Sequence, residues 1–259
     1  MSASKSSSQE TLSELSTYTV RESPRAKHVR LMLSLQDGLV VVVPMGFDRG
    51  RIPNLLQKKK RWLANASQRI EAQRKFSESE PPLPERMALQ GIGEDWTIEY
   101  RQKKSSRVTV VERPGYRLLV SGNTDNIETC RATLRRWLSR KAHVKLKPWL
   151  ASLAKERGFQ FGRVIVRSQR TRWGSCSRRK NVGLNMKLLF MPEALVRQVL
   201  IHELCHTVHL NRSQKFWALL KHHEPDCAKK EKELRSAGRF VPAWIDAKKR
   251  RGRDGRSWK

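Results

Sequence analysis

Val29 to Leu35 alternates apolar residues with polar or smaller ones, Asp37-Gly38 supplies a turn, and Leu39 to Val43 is a run of strong β-formers. This pattern predicts a β-hairpin. Pro44 closes it, and from Arg49 to Arg74 the apolar positions Ile52, Leu55, Leu56, Trp62, Leu63, Ala66 and Ile70 fit the spacing of an amphipathic helix with a basic outer face. After Pro81-Pro82-Leu83-Pro84, the stretches Met87 to Leu89, Trp96 to Tyr100, Val108 to Val111 and Leu118 to Val120 read as four short strands of a meander. Thr124 or Asp125 can cap a long basic helix running toward Arg157, which Pro148 is expected to kink or split.

The second half predicts strands at Arg163 to Val166, Arg172 to Ser177 and Val182 to Met186, the last two joined through Arg178-Arg179-Lys180-Asn181. Pro192 suits the first turn of a helix. In that helix Leu195, Val196, Val199, Leu200, Leu204 and Val208 form a wide apolar surface. A further helix follows Ser213, and Glu231 to Arg235 reads as another. The expected class is α+β: an N-terminal mainly β region over 17–122, a core with a small sheet beside a buried helix over 123–238, a disordered tail over 1–16 and a basic tail over 239–259.

Within the apolar helix stands His202-Glu203-Leu204-Cys205-His206. Four residues advance a helix by about 400°, so both imidazoles leave the same face one turn apart and can share one ion, while Glu203 points about 100° away. This H-E-x-x-H spacing suits a metal-activated water with the glutamate as its base. Two hydrogen-bonded core histidines are the alternative reading of the same residues.

Charge adds a second theme. Lys and Arg number 54 against 24 Asp and Glu, a formal net charge of +30, which favours an anionic partner such as nucleic acid or another polyanion. The basic residues are dispersed over several segments, so a generally basic surface accounts for them equally well. Cys130, Cys176, Cys205 and Cys227 show no C-x-x-C spacing, no apolar run approaches a membrane span, and the N-terminus has no secretory pattern, so the expectation is a cytoplasmic protein with reduced thiols.

Thr171-Arg172-Trp173-Gly174-Ser175-Cys176-Ser177, Gly183-Leu184-Asn185, His202 to His206, Asn211, Ser213 and Phe216-Trp217, with Tyr18 to Arg21 and Val40 to Pro44, resemble the YgjP-like metal-dependent hydrolases of the zincin fold. The resemblance spans Tyr18 to Arg235. It implies one zinc or another divalent metal per chain on His202 and His206, Glu203 as general base, and a groove shaped by Arg172, Trp173, Ser175 and Asn185. The implied substrate is a peptide or a nucleoside triphosphate attacked at a phosphoanhydride bond. The resemblance also marks a departure: the family's third ligand is a histidine between Asn and Ser, where this chain has Arg212, which cannot donate a lone pair to a metal. A third ligand is therefore sought among His209, His222, His223, Glu224 and Asp226. Arg212 could instead grip an anion, or the chain could be a degenerate member that binds nucleic acid or another polyanion without turnover.

Overall fold

The computed structural model describes residues 18–34, 37–79, 82–169 and 172–246, and the expectations for residues 1–16, Leu35, Thr171 and the basic stretch from 247 onward lie outside them. The chain divides into two compact units at Ser79 and Glu80. The class is α+β.

In the first unit, β2 (Arg30–Ser34) and β3 (Gly38–Val43) form the expected antiparallel hairpin, with Gly38 at φ 61°, a left-handed conformation that glycine adopts at no steric cost. β1 (Tyr18–Glu22) adds in parallel on the other side of β3, giving the order β1-β3-β2. The basic helix predicted over Arg49 to Arg74 is broken: a 3-10 turn at Arg49–Arg51 leads into α1 (Ile52–Lys58), and α2 (Lys60–Ser79) restarts after Lys59. Ile52 packs with Val41 and Val43 in a small core of its own.

The second unit holds the main core. β4 (Arg86–Leu89), β5 (Glu94–Gln102), β6 (Val108–Arg113) and β7 (Arg117–Gly122) are ordered β4-β5-β7-β6, with β5 and β7 parallel. The expected simple meander is thus corrected: β6 pairs only with β7, which lies between it and β5. In β5, Glu94, Trp96 and Ile98 are buried while Asp95, Thr97 and Glu99 are exposed, the period-two pattern of a half-buried strand. Glu94 is a charge at an apolar level, and it is matched: its carboxylate accepts from Trp96 Nε1 at 2.9 Å and meets Lys145 Nζ at 2.8 Å and Lys141 Nζ at 3.2 Å.

Helix α3 runs unbroken from Ile127 to Glu156, about 45 Å, with Pro148 inside it, so the expected split does not occur. Its cap is Asn126, whose side chain accepts from Thr129 N–H at 3.0 Å; Thr124 is instead held by Gln102. Leu134, Leu138, Ala142, Leu146 and Leu150 recur at the 3–4 spacing and are fully buried, which anchors the helix across the proline.

β8 (Val164–Arg167), β9 (Gly174–Cys176) and β10 (Val182–Asn185) form a three-stranded sheet ordered β8-β10-β9, leaving β9 on an edge. Met186 to Phe190, part of which was expected to prolong the last strand, is a buried 3-10 turn. α4 (Glu193–Cys205) is buried on nearly every side and packs against β9, α5 (Gln214–His223) and α6 (Cys227–Leu234). A helix apolar all round is a central helix, and this one carries both histidines at its end.

Candidate active site

His202 and Glu203 occupy the last turn of α4, and His206 is the first residue beyond it. Past Cys205 the ladder tightens to i→i−3 bonds: Thr207 and Val208 N–H donate to the Leu204 and Cys205 carbonyls at 2.9 and 3.1 Å, and Thr207 Oγ1 adds a bond to the Leu204 carbonyl at 2.7 Å. The imidazole centroids of His202 and His206 are 4.9 Å apart, and Phe216 of α5 stacks on the His206 ring at 4.4 Å and meets the His202 ring edge-on at 5.0 Å. The two rings therefore face one space, as the four-residue spacing requires.

Each ring is fixed from behind. His206 Nδ1 lies 2.9 Å from the His209 carbonyl, which can only accept, so Nδ1 carries the proton. His202 Nδ1 lies 2.8 Å from Glu231 Oε1, the arrangement that fixes a metal-binding imidazole in metalloenzymes. Burial pushes the Glu231 carboxyl up, but the bonds from His202 and Gln198 and the nearby charge of Arg212 outweigh this, leaving it below the ordinary carboxylate range. Burial also holds His206 below the ordinary imidazole value, which favours its neutral form. In the neutral state both Nε2 atoms carry a lone pair.

Between these rings and the edge strand β9 opens a cleft of about 460 Å³, lined by Arg172, Trp173, Gly174, Ser175, His202, Glu203, His206, Arg212 and Glu231 among others. Glu203 is buried, and its Oε2 has no hydrogen-bond partner among the described residues. Burial pushes its carboxyl up to about 8, against the lowering effect of Arg212 and Arg172. Gly174 gives it room: a Cβ at that position would stand 2.5 Å from Glu203 Oε1 and 2.6 Å from its Cγ.

Of the residues singled out from the sequence, Arg172, Trp173, Ser175 and Arg212 join His202, Glu203 and His206 around this cleft. Asn185 does not line it. Its side-chain amide donates to the Gln169 and Arg172 carbonyls at 2.8 Å each and its oxygen accepts from Lys187 N–H, so it ties those two residues to the end of β10. His209 contributes its carbonyl to His206. His222 packs on His223, which packs on Phe159; Glu224 is paired with Arg197 and Lys230; Asp226 is exposed at the start of α6. Glu231 was not among the sequence candidates, and no local motif marks it, because it reaches His202 from another helix 29 residues away.

The profile of the YgjP-like, metallopeptidase domain family matches residues 27–237. The chain belongs to that family. YgjP-like membership supports a metal-dependent hydrolase in the broad sense and implies a divalent metal. Among proteins with curated descriptions none matches. Among solved structures, the metallopeptidase zymogen of Methanocaldococcus jannaschii jannalysin matches at 18% identity over 36% of this chain and 95% of that one, with a TM-score of 0.32.

The donor set tests the implied metal. Two imidazole nitrogens and the unpartnered Glu203 oxygen suit a metal and its water, but a catalytic zinc ordinarily takes three protein ligands. Among the described residues no group of three His, Cys, Asp or Glu side chains converges to hold an ion. Arg212 Nη2 lies 3.2 Å from His202 Nε2. A permanently protonated guanidinium donates to the lone pair that an ion would need, and it repels that ion. As arranged, these residues do not fit a three-ligand metal centre.

Proposed function

We propose that this YgjP-like domain keeps the cleft of a metal-dependent hydrolase but fills its cation position with its own Arg212, so that the cleft binds an anionic ligand without metal-assisted turnover. The observation that carries this reading is the Arg212 guanidinium set on His202 Nε2. Arg172, also on the cleft wall, adds a second cation, and the free edge of β9 offers backbone groups to an extended chain. An acidic peptide or a phosphorylated compound has the matching chemistry.

A second reading is favoured by the orphaned Glu203 oxygen and the two fixed imidazoles: a metal-dependent hydrolase, zinc-type, cutting a peptide or a nucleoside triphosphate, in which Glu203 accepts the proton of the attacking water. Metal analysis separates the two. The first reading expects far less than one zinc per chain in carefully prepared protein and no rise in Tm on adding zinc. About one zinc per chain, with hydrolysis of peptide or triphosphate lost in Glu203→Gln while the zinc stays, overturns it in favour of the second.

A further inference from the structure

Far from the histidine cleft in sequence, the first unit carries a groove of about 580 Å³ between the loop before β2, the turn after β3 and helix α1, lined by Lys27, His28, Val29, Pro44, Phe47, Arg51, Asn54, Leu55 and Lys58. We propose that this groove is a binding site for single-stranded nucleic acid.

The lining contains two lysines, an arginine and a histidine, and no carboxylate. Arg51, which caps α1, and Asn54, Leu55 and Lys58 within it follow the 3–4 spacing of one helical face, which sets the backbone positions of the two cations about 10 Å apart. That reach can span more than one phosphate of a strand, whose charges recur once per about 3.4 Å of helix axis in a duplex and farther apart when the bases unstack. Lys27, from the loop before β2, lines the same groove. Among the described residues none of Lys27, Arg51 and Lys58 has an ion-pair partner, whereas nearby Arg49 is committed to Glu22 at 2.7 Å.

The floor is apolar. Val29 and Phe47 are half-buried and packed on the small core formed by Val41, Val43 and Ile52, so their exposed surfaces are held in place. Pro44 and Leu55 extend this floor, and the exposed His28 ring stands at its margin. Unpaired cations beside fixed apolar and aromatic surface are what a single strand needs: phosphates meet the cations while an unstacked base covers the floor. A duplex keeps its bases stacked inside and gains nothing from that floor. The chain's net charge of +30 draws such a strand in.

The test is a fluorescence-anisotropy titration of the full chain with a labelled single-stranded oligonucleotide of about 20 nucleotides at several salt concentrations. Wild type is expected to bind, and the triple variant K27A/R51A/K58A to bind at least about tenfold more weakly, with a log–log salt slope shallower by about two units, since each lost phosphate contact removes about 0.7. The substituted residues are exposed, so the fold is retained, as circular dichroism will check. A control with equal charge loss in the second unit, R101A/K103A/K104A, is expected to stay within about twofold of wild type. No binding by wild type, an equal loss in the control, or equally tight binding of inorganic polyphosphate or duplex overturns the proposal.

Discussion

Arg212 Nη2 and His202 Nε2 lie 3.2 Å apart, which places a fixed positive charge against the nitrogen that an ion on this ring would need. Arg212→His removes that charge and offers an imidazole in its stead. Zinc added to the variant at about 100 times its dissociation constant is expected to stabilise it by about 2.7 kcal/mol, a Tm rise of roughly 5–10 °C, while wild type shows no rise. A wild-type rise of the same size, seen by differential scanning fluorimetry, contradicts the reading of Arg212 as the occupant of this position.

Glu203 supplies a pH signature. Folded, its carboxyl keeps the proton up to about pH 8, whereas the unfolded chain releases it near 4.5. Between these values the folded state holds the extra proton, so the stability from this group is fully present below about pH 4.5 and declines until pH 8 is passed. Glu203→Gln cannot titrate. The variant and wild type are expected to melt together near pH 5 and to diverge by pH 9, with wild type lower by at least about 1 kcal/mol, or about 2–4 °C. Parallel Tm curves across this range would show that Glu203 is ionised throughout.

Local patterns in the sequence carried the hairpin, the strand positions of the second unit and the pair of histidines, because alternation and the 3–4 helical spacing are set by nearest neighbours. Strand order is a different matter. β5 and β7 pair in parallel although β6 lies between them in sequence, and nothing in Glu94 to Gly122 states which strand is central. Pro148 shows the other kind of override: its local tendency to break a helix yields to five fully buried apolar residues on the same face of α3. In the cleft, Arg212 stands out by its type, but its contact with His202 and the arrival of Glu231 depend on how α4, the following loop and α6 pack. Both are tertiary facts.

Gly174 lets the edge strand pass against the buried carboxyl of Glu203. Gly174→Ala places a methyl group 2.6 Å from Glu203 Cγ, too near the root of that side chain for its tip alone to move aside. The expected cost is about 1–3 kcal/mol, typical of overpacking. Adding Glu203→Ala removes the obstructing atoms, so the double variant should recover part of the loss. Additive penalties in a denaturant titration would mean that strand and carboxylate do not touch.

Glu231 holds the His202 ring by accepting its Nδ1 proton, and Gln198 Nε2 donates to the same oxygen at 3.3 Å. Glu231→Ala strips both buried donors of their acceptor, at an expected cost of about 1–3 kcal/mol, whereas Glu231→Gln retains an acceptor oxygen and should cost less. Stability alone does not separate positioning from packing, but the ring's tautomer does. In wild type, 15N-resolved NMR of the imidazole at neutral pH is expected to show the proton on Nδ1 of His202, with Nε2 accepting from Arg212; in Glu231→Ala the proton is free to move to Nε2, which then repels the Arg212 donor. An unchanged Nδ1-protonated ring in the alanine variant would mean that Arg212 alone sets the orientation of His202.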